Sequence, residues 1–123
     1  MSQGYLEHAN ITVSDPERLS GLLQDLFGWR ERWRGPSLMG GWTIHVGTER
    51  DYLAVYTNNN TAAPFRKGAP LNHVGVVVDD LDAVEGKVVA AGLVPFSHGD
   101  YEPGRRFYFF DWDGIEYEVV SYA

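Results

Sequence analysis

Apolar and polar residues along the first half of the chain change period in a way that predicts one helix among four strands. The stretch at 5–13 ends in three β-prone residues and favours a first strand. Five apolar residues then recur at the spacing of an amphipathic helix: Leu19, Leu22, Leu23, Leu26 and Phe27. Three further strands are predicted at 29–33, 42–46 and 52–57.

The predicted helix carries start and stop signals at its two ends. Pro16 suits the first helical position, because the N–H that proline lacks would have no partner there. Ser14 and Glu17 stand at capping-box spacing, and Gly28 is placed to end the helix. Further along, Gly35 and Pro36 are expected to end the second strand.

The second half repeats this order after a polar connector at 58–70, which contains proline and glycine and shows no period. Residues 71–78 predict a strand, Asp80 can cap the helix that follows, and Gly92 can end it. The remaining predicted segments are a strand at 93–97, a loop at 98–105, and hairpin strands at 107–110 and 115–121 that turn at 111–114.

The two halves align almost without gaps, which is a strong organising signal. His8 and His73 hold the same place in the opening strands LEHANITVSD and LNHVGVVVDD. Neither half has enough elements to bury both faces of its sheet, so the two curved sheets are expected to close around a central cleft. The expected fold is α+β, a single domain of two βαβββ modules, at 1–57 and 71–123.

Composition limits the classes of function. A chain of 123 residues that is 44% apolar can form one packed domain. No apolar run reaches the ~20 residues of a membrane span, and no export signal is evident, so a cytoplasmic location is expected. The absence of cysteine excludes disulfides and thiolate ligands. A net charge of −7 argues against nucleic acid or an anionic membrane as partner, although it would also suit a cationic ligand.

Three polar residues in otherwise apolar strands predict a metal site: His8, His73 and Glu118. If the sheets pair symmetrically, one face of each points to its helix and the other into the cleft, where the three side chains can converge. Two neutral imidazoles and one carboxylate suit a divalent first-row metal, and a carboxylate in mid-strand needs such a partner. A lone histidine in a strand is more often structural, but the repeat-equivalent pair favours the metal.

These motifs resemble those of the vicinal oxygen chelate superfamily, which includes glyoxalase I, fosfomycin-resistance proteins, extradiol dioxygenases and bleomycin-binding proteins. The resemblance covers nearly the whole chain and rests on the two opening strands and on FYFFDWDGIEYEV. That segment is similar to the family's closing hairpin, usually Asp-Pro-Asp-Gly followed by the ligand glutamate, with Trp112 here in place of proline. The resemblance also implies a homodimer, because members often build each site from modules of two chains.

The family draws its metal ligands from four places, and the resemblance carries three of them to His8, His73 and Glu118. The fourth place is Ala54, which offers neither ligand nor base. Glyoxalase I uses an acid there, so its glutathione isomerisation is not implied for this chain. Three-ligand sites are similar to those of extradiol dioxygenases and fosfomycin enzymes, whereas bleomycin-binding members do without metal ligands. The ion itself stays open among iron, manganese, zinc, nickel and cobalt.

Proton transfer needs a second group, and the chain offers two candidates. Tyr108 is expected on the cleft face if its strand pairs as the family's does, and Glu116 shares a side with Glu118. Each has a structural alternative, since Tyr108 could be a core aromatic and Glu116 a solvated strand end.

Further candidates for the pocket follow from parity along the strands. Trp42, Tyr52 and Tyr56 share parity with Ala54 and are expected to line an aromatic pocket. His45 matches a phenylalanine in the repeat and is expected to face a helix. His98 falls in the predicted loop at 98–105, where it is either part of a mobile cover or simply exposed.

Two functions of different class follow. The first is a metal-dependent lyase or dioxygenase, in which a small substrate with adjacent oxygens chelates the ion as an enolate or alkoxide forms. The second is a binding module that sequesters an aromatic or cationic ligand, with structural histidines. Both take a small molecule as partner, and metal content distinguishes them.

Overall fold

The structure, a computed structural model, describes residues 3–37, 40–58, 70–101 and 104–123. The chain divides into two compact units, Met1–Ala62 and Ala63–Ala123. Within the described residues, each unit contains one helix and a four-stranded mixed sheet in the predicted order β-α-β-β-β. This confirms the α+β class and the duplication, while most of the connector predicted at 58–70 lies outside the described residues. None of the described helices is long and apolar enough to cross a membrane.

The elements of the first unit lie close to their predicted positions. They are β1 (His8–Thr12), α1 (Pro16–Phe27), β2 (Arg30–Pro36), β3 (Trp42–Gly47) and β4 (Tyr52–Thr57). The sheet order is β1-β4-β3-β2, with β1 parallel to β4 and the other pairs antiparallel. β2 continues through Gly35 and Pro36, which were expected to end it. An edge strand tolerates proline because one side of it has no ladder partner.

The start of α1 differs by one residue from the predicted capping box. Pro16 occupies the first helical position, which makes Asp15 the N-cap instead of Ser14. The Asp15 carboxylate accepts a hydrogen bond from the backbone N–H of Arg18 at 3.1 Å. Gly28, at φ 67°, ends the helix as predicted. The apolar face of α1 is buried against β3 and β4 and consists of Leu19, Leu22, Leu23 and Leu26.

The elements of the second unit repeat this layout. They are β5 (Val74–Val77), α2 (Leu81–Ala90), β6 (Phe96–Tyr101), β7 (Gly104–Phe110) and β8 (Glu116–Ser121), in the sheet order β5-β8-β7-β6. The loop predicted at 98–105 was wrong, because β6 extends to Tyr101 and β7 begins at Gly104. β6 is an edge strand with one ladder partner, so its polar residues carry no alternating pattern that would mark it as a strand.

The helix of the second unit covers the inner strands of its sheet. The Asp80 carboxylate accepts from the backbone N–H of Ala83 at 3.0 Å, as predicted for a cap. Val84 and Val88 are buried on α2, which lies against β7 and β8. The buried residues of those two strands form the rest of this core: Phe107, Phe109, Tyr117 and Val119.

The β7–β8 hairpin turns where predicted, around the buried side chain of Asp111. Oδ1 of Asp111 accepts from the backbone N–H groups of Asp113 at 2.9 Å and Ile115 at 3.0 Å. The Tyr117 hydroxyl donates to Oδ2 at 2.9 Å. Burial raises the pKa of Asp111, and these three hydrogen bonds act against that rise. The turn thereby fixes the register of β7 against β8.

Tyr117→Phe removes the hydroxyl donor and leaves one oxygen of a buried carboxylate without its partner. We expect the free energy of unfolding to fall by about 1.5–3 kcal/mol, the range for a hydrogen bond to a charged group. Urea denaturation followed by circular dichroism measures the change. Tyr122→Phe alters an exposed tyrosine just after the same strand and serves as the control. An equal loss in both variants would contradict the role given to Asp111.

Candidate functional site

Glu118 lies on an inner strand of the second unit and is surrounded by polar neighbours. The ladders pair it with Tyr108 of β7 and Gly75 of β5. His73 lies directly before β5 and places Nε2 at 3.0 Å from Oε1 of Glu118. The Glu118 side chain is only 15% exposed, so its carboxylate requires partners. Two of the three predicted metal ligands are therefore in contact.

Arg106 occupies the other oxygen of this carboxylate. Its Nη1 donates to Oε2 of Glu118 at 2.9 Å, and Nη2 donates to the carbonyl of Gly104 at 3.3 Å. The Arg106 side chain is 12% exposed and its guanidinium lies 4.7 Å from the centre of the Tyr101 ring. Burial acts to lower the pKa of Arg106, but the bond to Glu118 and neighbouring charges raise it overall. Arg106 thus holds Glu118 with one oxygen towards His73.

Arg106 was not among the site residues predicted from the sequence. The signal that could have found it is its position two residues before Tyr108, on the strand paired with Glu118. Side chains two apart on a strand share a face. A basic residue there is the expected counter-charge for a carboxylate in mid-sheet.

The other nitrogen of the His73 ring also has polar neighbours. Nδ1 is 2.8 Å from Oδ1 of Asn72 and 3.9 Å from Oε2 of Glu116. Glu116 is buried, so it is not the solvated strand end that was one of its two interpretations. The imidazole is therefore oriented from both edges, by the amide oxygen of Asn72 on one side and by Glu118 on the other.

An open pocket of ≈ 400 Å³ lies beside this cluster in the second unit. Ser97 on its wall has φ 53°, which is uncommon for a residue with a side chain, and it lies where the β6–β7 register shifts. Backbone in this conformation is often associated with ligand sites. The pocket is lined by Asn72, His73, Phe96, Ser97, Tyr101, Tyr108 and Glu116.

Tyr108 is half-buried in this pocket and presents its hydroxyl group to polar surroundings. Its ring meets His73 edge-on at 6.0 Å between centroids and stacks on Phe96 at 6.0 Å. Burial raises the pKa of Tyr108, and the charge of Glu118 raises it further. The phenol therefore stays protonated at neutral pH, where it can donate a hydrogen bond or a proton.

A complete metal site is not assembled in the part of the chain that the structure describes. Within it, no three histidine, cysteine, aspartate or glutamate side chains form a group that could hold a metal ion. His8, the remaining predicted ligand, begins β1 in the first unit, where its Nδ1 is 2.9 Å from Oε1 of Glu7. Of the three predicted ligands, the structure brings His73 and Glu118 into contact.

The first unit carries a row of four aromatic rings in successive contact on one face of its sheet. The order is Trp33, His45, Tyr52 and His8, with centroid separations of 5.0, 4.6 and 4.9 Å between successive rings. The guanidinium of Arg32 lies 4.4 Å from the centre of the Tyr52 ring. We call the side chains of Trp33, His45, Tyr52 and His8 the ring row. It contains one predicted pocket residue, Tyr52, and one predicted ligand, His8.

Two predicted placements in the first unit are corrected by the strand register. His45 was expected to face a helix, but it pairs with Ala54 and stacks on Tyr52, so it lies on the opposite face. Trp42 was expected to share a face with Ala54, yet it pairs with Thr57 and lies on the other side. Parity cannot be carried from one strand to the next without the register, because the connecting turn can shift it by one.

The other residues with expected roles have definite surroundings. Ala54 is buried beside Asn10 and His45 in the ladder, and the Tyr56 hydroxyl donates to the carbonyl of Gly40 at 3.1 Å. His98 lies in β6 and not in a loop, and its Nε2 is 2.7 Å from Oε2 of Glu85.

Known proteins are similar to this chain in sequence pattern and in fold. The family model of the glyoxalase/bleomycin resistance protein/dioxygenase superfamily matches residues 5–119. The chain belongs to that superfamily. No curated protein matches it. Among solved structures, the glyoxylase/bleomycin resistance protein/dioxygenase domain from Frankia sp. EAN1pec shares 21% identity and a TM-score of 0.84, with 98% of each chain covered.

Fosfomycin-resistance proteins are also similar in fold. FosX from Mesorhizobium loti shares 24% identity and a TM-score of 0.73, covering 98% of this chain and 92% of its own. A variant of FosX from Listeria monocytogenes, complexed with Mn(II) and 1S,2S-dihydroxypropylphosphonic acid, shares 18% identity and a TM-score of 0.76. That match covers 98% of this chain and 93% of the FosX chain. At these identities the likeness shows the fold alone.

The ring row makes a prediction about the titration of His45. Burial lowers the pKa of His45, and the charges of His8 and Arg32 lower it further. Trp33→Ala uncovers the ring, so the pKa should move back towards the ordinary value of ~6.5. Proton NMR of the imidazole resonances measures the change. Trp29→Ala, whose ring packs on Phe27, is the control.

The same shift affects stability with a defined sign. Because the unfolded chain binds the His45 proton more tightly than the folded chain, stability is lost as the pH falls below the ordinary value of ~6.5. Trp33→Ala should reduce this acid-side loss. A His45 pKa that stays equally low in that variant would show that burial under Trp33 is not its cause.

Proposed function

We propose that this protein is a metal-dependent enzyme of the superfamily, with a small oxygen-bearing substrate that binds the ion through adjacent oxygens. The observation that carries the proposal is the contact between His73 and Glu118 beside the open pocket of the second unit. His8 stays the predicted third ligand, and Ala54 leaves the family's fourth ligand place without a donor. The complex of a Listeria FosX variant with Mn(II) and a dihydroxy compound supports an ion and substrate of these classes.

The donor atoms of the second unit fit a divalent ion. Imidazole nitrogen and carboxylate oxygen are both usual ligands of divalent first-row ions, and a shared ion would need the two atoms close together. The Nε2 and Oε1 atoms of His73 and Glu118 are 3.0 Å apart. Imidazole with carboxylate suits first-row metals and does not choose among iron, manganese, zinc, nickel and cobalt.

The neighbours of the two ligands also fit. Metal-bound histidines usually have a second ring nitrogen held by an oxygen, as Oδ1 of Asn72 holds Nδ1 here. Arg106 donates to Oε2 of Glu118, which leaves Oε1 directed at His73. A divalent ion held there would act as a Lewis acid on a substrate oxygen.

Tyr108 and Glu116 are proposed to move the proton. Tyr108 is protonated at neutral pH and lines the pocket, so it can donate to a substrate oxygen as negative charge forms. Glu116 also lines the pocket and has only oxygen acceptors when ionised, which suits it to receive a proton. Phe96 supplies an apolar wall of the pocket beside Tyr108. This division gives acid and base distinct residues.

The second candidate is a non-enzymatic binding module, and the ring row favours it. Trp33 at one end of the row is 48% exposed, which leaves aromatic surface available to a flat ligand. Arg32 already lies over the Tyr52 ring, so this face suits an aromatic ligand better than a cationic one. The homodimer implied by the resemblance stays a prediction under either function.

Metal analysis separates the two candidates. After exposure to manganese, iron, zinc, nickel or cobalt and removal of excess ion, the enzyme proposal expects a stoichiometric ion by mass spectrometry. His8→Ala, His73→Ala and Glu118→Ala should each lose it. His98→Ala is the matched control, because His98 is exposed and paired with Glu85. No uptake of any of these ions would overturn the enzyme proposal and favour the binding module.

Arg106 gives a second test through metal affinity. Arg106→Leu should weaken binding of the ion by ~10–100-fold, the usual effect of losing an outer-shell partner of a ligand. Arg106→Gln keeps a hydrogen-bond donor without the charge, so it separates orientation of Glu118 from charge repulsion of the ion. Arg105→Leu, which removes an exposed arginine paired with Asp82, is the control. Unchanged or tighter binding in Arg106→Leu would show that Arg106 does not orient Glu118 for the ion.

A further inference from the structure

We infer that Arg32 forms an oxyanion-binding site on the ring-row face of the first unit, for a small molecule with a carboxylate or phosphate-type group. The inference goes beyond the proposed metal chemistry and requires no metal. It rests on the placement of Arg32, on its lack of an acceptor and on the chemistry of the side chains around it.

The placement of Arg32 is produced by a bulge in β2. The register shifts there, since Glu31 pairs with Val46 and Trp33 pairs with the next residue, His45. One extra residue on β2 is accommodated, and that residue is Arg32. A bulge redirects the side chains around it. Both Arg32 and Trp33 consequently lie on the face that carries His45 and Tyr52.

The three arginines of β2 differ in their partners. Arg30 donates through Nε to Glu49 at 3.0 Å, and Arg34 is bonded to both Glu17 and Glu31. Arg32 has no carboxylate partner among the residues that the structure describes, and its buried Nη1 has no acceptor there. The charge is stabilised by the Tyr52 ring instead.

An enclosed guanidinium N–H without an acceptor is a costly arrangement, and a guanidinium charge without a carboxylate partner can be balanced by a bound oxyanion. Arg32 is half-buried, so part of its side chain stays accessible from solvent. The guanidinium fork matches the two oxygens of a carboxylate or phosphate group. The carboxylate of Glu7, which also acts on His45 and Tyr52, bonds to His8.

The neighbours of Arg32 favour an anion as well. His45 lies on the same face and can donate a ring N–H. The chain as a whole carries a net charge of −7, which repels anions, so a local cation is required for one to bind. The exposed ring of Trp33 beside Arg32 offers stacking surface to a flat ligand body.

The experiment titrates chelator-treated full-length protein with benzoate, acetate and inorganic phosphate by calorimetry. We expect saturable binding of at least one probe that is weakened about ten-fold or more in Arg32→Gln, because a charged hydrogen-bond donor is lost. Arg30→Gln is the matched control, since Arg30 lies in the same strand but is paired with Glu49. Benzoate binding above acetate assigns the site to aromatic carboxylates, and phosphate binding above both assigns it to phosphate-type groups.

A second readout avoids dependence on the variant's folding. In the unsubstituted protein, the same titration should shift the backbone amide resonances of residues 31–33 in heteronuclear NMR. Binding of no probe, or equal binding by the unsubstituted protein and a folded Arg32→Gln, would overturn the inference. Because the protein is metal-free throughout, failure here leaves the metal proposal intact, and failure of metal uptake leaves this one intact.

Discussion

The second unit depends on burying the Glu118 carboxylate with its charge balanced. A carboxylate in the middle of a sheet is tolerated only when its oxygens are satisfied. His73 meets one oxygen and Arg106 the other, at 3.0 and 2.9 Å. The two partners come from different strands or their ends, so the β5-β8-β7 ladder must be in register for both contacts to form. The Asp111 turn sets half of that register, which links a structural hydrogen-bond cluster to the chemistry of the pocket.

The spacing of apolar residues and the internal repeat were sufficient to predict the fold of each half. The helices were predictable because their apolar faces have a single period and their ends carry Asp, Pro and Gly signals. The inner strands were predictable because they are buried on at least one face. The strand predicted at 93–97 lies at Phe96–Tyr101, and most of β6 was taken for a loop because an edge strand rich in polar residues has the composition of one. His73 and Glu118 were expected to converge because of the faces on which they lie, whereas Arg106, which also contacts Glu118, was not predicted.

The remaining errors concern the face of the sheet on which a side chain lies, and they have one physical cause. Side chains alternate strictly along a strand, but a turn or a bulge of one residue reverses the relation between neighbouring strands. The repeat was carried through β3 at constant spacing, which placed His45 on the helix side and Trp42 on the side of Ala54. The observed register pairs His45 with Ala54, as Tyr108 pairs with Glu118. His45 is thus the positional counterpart of Tyr108, and neither lies on the helix side.

With His45 and Tyr108 as counterparts, the two halves can be compared around the same pair of strands, β3–β4 in the first unit and β7–β8 in the second. The second unit has an acid at Glu118, a phenol at Tyr108 and a guanidinium, Arg106, whose charge is matched by that acid. The first unit has Ala54 and His45 at the corresponding places, and its guanidinium, Arg32, comes from a bulge in β2 and has no acid to match it. Ala54 therefore offers no metal donor, and the same unit has a cation without a carboxylate partner among the described residues. The duplicated scaffold in this way presents one carboxylate-centred cluster and one cation-centred face, which are suited to ligands of opposite charge.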